Sequence, residues 1–143
     1  MFNPKLEVPS LELCKQLKYL GFPQDGGGWY WYSDIENATW RLVYEQEVFD
    51  YDEDIKEYIK APTVRELGEW LPVSIKDIHE LYIEFDKVTE EDWIISYRYY
   101  CHNISLIAFK DITEANARAK MLIWLVENNY ITFNKEVKNA HNK

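Results

Sequence analysis

Between Glu45 and Glu57 the sequence sets seven carboxylates, Glu45, Glu47, Asp50, Asp52, Glu53, Asp54 and Glu57, against the single Lys56, a local net charge of −6. Carboxylates at that density can hold a hard cation, form a solvated loop, or face a basic surface. Asp50, Asp52 and Asp54 have the 1, 3, 5 spacing that opens an EF-hand loop, in which alternate oxygen ligands wrap Ca²⁺. The sixth position, where the loop turns sharply on glycine, is Ile55, and the twelfth, where a bidentate glutamate closes it, is Ala61. A specific calcium site therefore does not follow, and no metal is expected. Phe49 and Tyr51 interrupt the acids. That mixture suits contact with a basic protein surface, because interfaces are rich in aromatics and opposite charge steers encounter. Phe49, Asp50, Tyr51, Asp52 and Asp54 are the candidate contact residues.

The other reactive residue types are scattered. His79, His102 and His141 have no ligand spacing between them, and neither Cys-x-x-Cys nor His-Glu-x-x-His occurs. Cys101 and His102 are adjacent at the end of a predicted strand, where successive side chains point to opposite faces, so they do not converge as a catalytic pair. Gly26-Gly27-Gly28 precedes an apparent strand, whereas phosphate cradles place glycines between a strand and a helix. It is expected to be a flexible turn, and no cofactor is expected. Trp29, Tyr30, Trp31, Tyr32 and Trp40 could stack sugars or bases, with nearby carboxylates as acid and base. Burial in a core or an interface is the reading favoured for these aromatics. Single-strand binding also needs a basic groove beside the rings, and only Arg41 is near. Trp29 and Trp31 join the candidate contact.

The elements that must position these residues belong to a chain of 143 residues, long enough to bury a core in one domain. Apolar residues make up 47% and aromatics 16%, too many for a disordered protein. The formal net charge of −9 argues against a broad electrostatic footprint on nucleic acid or an anionic membrane. The N-terminus has no apolar stretch of signal-peptide length, and the longest apolar run, Met121 to Val126, is far short of the roughly 20 residues of a spanning helix. A cytoplasmic protein is expected, in which Cys14 and Cys101 are buried free thiols and the sequons at Asn37 and Asn103 are irrelevant.

Ser10 and Gly21 bracket a first helix with Leu11, Cys14, Leu17 and Leu20 at helical spacing, and Phe22 takes the place of a Schellman contact. Trp29–Ser33 and Thr39–Gln46 form a hairpin, with Trp40, Leu42 and Tyr44 on one face of its second strand. Both faces of the first strand are aromatic, so one needs a cover from the protein or a partner. Glu57 to Lys60 is a short strand. Thr63 with Glu66 makes a capping box for a helix of about two turns through Leu71, ended by Pro72. Three strands follow, at Leu81–Phe85, Trp93–Tyr100 and Ile104–Lys110. The last helix begins at a capping box of Asp111 and Glu114, or slightly later at Thr113. Its apolar positions are Ala115, Ala119, Leu122, Ile123 and Val126. The fold expected is α+β, a single domain over 1–133, with a mostly antiparallel sheet of about five strands and about three helices on one face. Residues 134–143 form a polar, disordered tail.

Ala61-Pro62-Thr63 followed by Leu67 and Trp70-Leu71, the early helix ending Leu20-Gly21-Phe22, the strand Trp29-Tyr30-Trp31-Tyr32 and an alanine-containing C-terminal helix together resemble a group of small uncharacterised phage and prophage proteins of gut bacteria. The resemblance covers most of the chain and implies a bacterial or phage intracellular setting. Its motifs are structural and imply no activity. The departures are Pro72 directly after Trp70-Leu71 and the acidic insertion before Ala61. The expected function is a non-enzymatic adaptor or inhibitor that binds a protein with a basic surface, a DNA mimic being a minor form of it. The alternative is a small-molecule or carbohydrate-binding domain with an aromatic-lined pocket, with or without hydrolase activity. Self-association through the aromatic faces is a third reading.

Overall fold

The computed structural model describes residues 3–34, 39–45, 56–76, 78–86, 88–99 and 104–133. Asn3 caps a single turn, α1 (Pro4–Glu7), by accepting a hydrogen bond from the Lys5 amide. Helix α2 (Leu11–Tyr19) starts at Ser10, whose hydroxyl accepts from the Leu13 amide. It stops in a full Schellman motif: Gly21, at φ +99°, donates to Lys18 O, and Phe22 donates to Leu17 O. The motif turns the chain so that the Phe22 ring enters the core rather than solvent.

Strands β1 (Gly28–Asp34), β2 (Thr39–Glu45) and β3 (Lys56–Lys60) make a three-stranded sheet in the order β2-β1-β3, both outer strands antiparallel to β1. Trp31 lies opposite Leu42 on one side and Ile59 on the other. Trp29, Trp31, Trp40 and Leu42 pack with Leu11 around a small core of Val8, Cys14, Ile59 and Ala61. Tyr30 and Tyr32, on the other face, are also buried. At Tyr30 the cover is the chain's own loop, because its hydroxyl donates to Gln24 O and Gly26 O.

Helix α3 (Val64–Gly68) carries the expected reciprocal capping box between Thr63 and Glu66. A second sheet follows, of β4 (Ser74–Ile75), β5 (His79–Phe85), β6 (Trp93–Tyr99) and β7 (Ser105–Asp111), antiparallel and in chain order. Cross-strand rows Leu81–Tyr97–Ile107 and Ile83–Ile95–Phe109 point to one face. Helix α4 (Glu114–Glu127) covers that face with Ala115, Ala119, Leu122 and Leu125, fully buried together with Leu17 and Leu67 from α2 and α3. Helix α2 thus contributes Leu17 to the larger core and Cys14 to the smaller one.

The architecture is mixed α+β with antiparallel pairing, as the alternation indicated. It departs from the expectation in number and grouping, with seven strands in two sheets and four helices among the described residues. The period-2 pattern marks a strand but not its partner, and α3 separates the first three strands from the last four. Strand β4, of two residues, and α1, of one turn, are too short to leave a periodic signal. Helix α3 ends before Leu71; turns closed by Trp70 N to Leu67 O and Leu71 N to Gly68 O carry the chain on to Pro72. The last helix is capped by Thr113, which accepts from the Asn116 amide, while Asp111 accepts from Thr113 N and Asn116 Nδ2. Among the described residues no helix is long and apolar enough to cross a membrane. The segment 134–143 lies outside the described residues.

Candidate functional site

The described surface carries a cleft of about 320 Å³ at the edge of the larger core, lined by Phe22, Pro23, Asp25, Lys60, Glu66, Glu69 and Trp70. Four local devices build it. The Schellman motif after α2 places Phe22. The turns after α3 place Trp70, whose ring meets Phe22 at 5.9 Å and Phe133 edge-on at 5.1 Å, with Phe22 and Phe133 themselves 5.1 Å apart. The capping box orients Glu66, whose Oε1 accepts from the Thr63 amide and hydroxyl at 3.2 Å each. The end of β3 delivers Lys60.

Lys60 is the unusual member, since its side chain is only 3% exposed. A buried ammonium is costly unless its protons find acceptors. Here Nζ pairs with Glu66 Oε2 at 3.2 Å, donates to Gly27 O, and lies 5.1 Å from the centre of the Tyr30 ring. The same cluster fixes the glycine loop. Gln24 accepts from Lys60 N at 2.8 Å and donates to Phe22 O at 2.9 Å, while the Tyr30 hydroxyl holds Gln24 O and Gly26 O. The segment 23–28, which contains the Gly26-Gly27-Gly28 turn expected to be flexible, is therefore tied at several points. Burial pushes the Tyr30 phenol up to about 12, helped by Tyr58 and by the carboxylates Asp25 and Glu66.

Asp25 and Glu69, both exposed, have no ion-pair partner among the described residues. The cleft thus offers an aromatic wall, two uncommitted carboxylates and a third carboxylate engaged by an inward-facing lysine. That arrangement is suited to positive charge on an organic stem. Among the described residues no group of three or more His, Cys, Asp or Glu is arranged to hold a metal.

The residues singled out from sequence are distributed otherwise. Phe49, Asp50, Tyr51, Asp52 and Asp54 lie outside the described residues, as do Cys101, His102 and His141. The flanks of the acidic segment are described: Glu45 pairs with Gly28 and Lys56 with Asp34, at opposite ends of the three-stranded sheet. Trp29 and Trp31 are half-buried against the smaller core, and Trp31 Nε1 donates to Pro9 O at 3.2 Å. Trp40 carries the Lys15 ammonium 5.3 Å from its ring centre. The aromatic ring lining the cleft beside Phe22 is that of Trp70, not of these three. Cys14 is a buried free thiol, as expected, pushed up to about 12 by burial, against a hydrogen bond from Trp31.

In the sequence Glu66 reads only as a cap and Lys60 only as a strand end, and nothing there singles out Gln24. The available signal was weak, a lysine closing a short strand six residues before a capping-box glutamate. Comparison with protein-family models, with curated proteins and with solved structures gave no match.

Proposed function

We propose that the chain is a small acidic protein-binding domain, an adaptor or inhibitor of phage or prophage type working in a bacterial cytoplasm on a partner with a basic surface. The observation that carries this reading is the cleft in which Asp25, Glu66 and Glu69 stand beside Trp70 with the one lysine turned inward. Charge supports it at two further levels, the −6 of residues 45–57 and the −9 of the whole chain. Acidic surfaces raise the encounter rate with basic partners and repel nucleic acid. Partly exposed aromatics are the residues through which such encounters become stable contacts.

A second reading, a small-molecule-binding domain, draws on the cleft's volume, which lies at the lower end of the range for ligand pockets, about 300–1,000 Å³. Glycosidase chemistry there is disfavoured, because Glu66 is committed to Lys60 and Thr63 rather than poised as an acid or base.

Affinity capture from a bacterial lysate, washed at low and high salt and read by mass spectrometry, separates the two. A stoichiometric partner whose retention falls with salt, and falls again when Asp50, Asp52 and Asp54 are replaced by Asn, is the expected result. Absence of a specific partner under both washes would favour the small-molecule reading.

A further inference from the structure

We infer that the cleft between Trp70 and the carboxylates of Asp25 and Glu69 is a receptor for an organic cation, a guanidinium or alkylammonium group on a short aliphatic stem. The source of that cation, though not its chemistry, depends on the protein-binding reading above.

Charge decides the sign of the ligand. Three carboxylates line the cleft against one lysine, and that lysine is already engaged by Glu66, the Gly27 carbonyl and the Tyr30 ring. Being almost fully buried, Lys60 presents little of its charge to a ligand, while Asp25 and Glu69 present theirs. Glu69 stands three residues after Glu66 and at the C-cap of α3. Like charges at that spacing repel, and a carboxylate at a helix C-terminus opposes the peptide dipoles. A bound cation relieves both.

The wall decides the kind of cation. Trp70 is held by Phe22 and Phe133 from within the core, so its ring is fixed before any ligand arrives. An indole face is the strongest aromatic partner for ammonium and guanidinium groups. A bare metal ion would gain nothing from Phe22, Pro23 and Trp70, whereas an aliphatic stem packs on them. The loop carrying Pro23 and Asp25 is tied through Gln24 and Tyr30, which limits the ordering cost of binding.

The test is a titration of the full chain followed by the indole N–H resonance of Trp70, assigned with W70F. The probes are agmatine, the capped tripeptide acetyl-Gly-Arg-Gly-amide, and the same peptide with neutral citrulline in place of arginine. A saturable shift is expected with the cations and not with citrulline. The D25N/E69Q variant alters only exposed side chains and should bind the cations about threefold to tenfold more weakly, with its circular dichroism spectrum unchanged. Peptide binding at least as tight as that of agmatine assigns the cation to a partner's side chain. Agmatine binding with the peptide excluded assigns it to a free small molecule. Equal binding of citrulline, no saturation by any cation, or unchanged affinity in D25N/E69Q would overturn the inference. Cation binding without any captured partner would remove the protein-binding reading and leave the cleft, whereas capture undiminished in D25N/E69Q would leave the protein-binding reading and remove the cleft as the place of contact.

Discussion

Gly28 and Lys60 set the geometry around the cleft at the scale of single residues. Gly28 adopts φ +121°, and a Cβ there would come within 3.0 Å of Lys60 Nζ, an atom fixed by its ion pair and hydrogen bond. Gly28→Ala therefore combines a disfavoured backbone conformation with a crowded amine and should lower stability by about 1–3 kcal/mol in urea unfolding. A neutral effect would mean that Lys60 is not held where it is drawn. Cys14 makes the opposite kind of statement. Buried, with its thiol pushed up to about 12, it should resist alkylation by iodoacetamide in the folded protein at pH 8 and react once the chain is unfolded. Labelling at the same rate in both states would show that the smaller core opens readily. At this scale the sequence was informative wherever a residue type answers a local backbone need. Leu20-Gly21-Phe22 indicated the Schellman turn, and Thr63 with Glu66 the capping box. Neither pattern could reveal that Glu66 also meets Lys60, because that pairing depends on where β3 delivers its last residue.

Between elements, the turn joining β5 to β6 is built around one carboxylate. Asp86 Oδ1 accepts from the Val88 and Thr89 amides, and Oδ2 pairs with Lys110 of β7 at 2.7 Å. Lys110 foremost, then the Val88 and Thr89 amides, hold the Asp86 carboxyl down at about 2 against an ordinary 3.8. A carboxyl whose folded value is depressed contributes stability above its unfolded value and loses it as pH falls toward the folded one. Stability should thus fall between about pH 4 and pH 2, and Asp86→Asn should flatten that part of the profile. Asp111 acts in the same direction: burial raises its value, but Lys120, the Thr113 amide and Asn116 outweigh that and hold it low. A profile unchanged by Asp86→Asn would show that the Lys110 pair is absent in solution. Helix α4 depends on a different local device, and Thr113→Ala should cost about 0.5–2 kcal/mol by removing its N-cap. Strands longer than four residues and both long helices were legible from alternation, spacing and caps. The division into two sheets was not, since hydrogen-bonding partners are chosen by packing and by the course of α3, which no strand's own pattern encodes.

Across the whole molecule, six tryptophans divide evenly between the cores. Trp29, Trp31 and Trp40 belong to the smaller, and Trp70, Trp93 and Trp124 to the larger. Because α2 inserts Leu17 into one and Cys14 into the other, the two should unfold together. Urea transitions followed by tryptophan fluorescence and by far-ultraviolet circular dichroism are expected to coincide. Separate transitions would make the cores independent. The cleft escaped the sequence because its lining comes from α2's exit, the glycine loop, β3 and the end of α3, brought together only by tertiary packing. The acidic character of the chain, in contrast, was visible in the composition alone.

On the proposed function, a basic partner is met at this cleft. Site-specific photo-crosslinking in living cells addresses it most directly, with the photoreactive residue placed at Glu69 and, as a control outside the cleft, at the exposed Val88 of the β5–β6 turn. A discrete adduct is expected from position 69, diminished in an otherwise identical chain carrying D25N, and none from position 88. An adduct from position 88 alone, or one from position 69 that is indifferent to D25N, would contradict it.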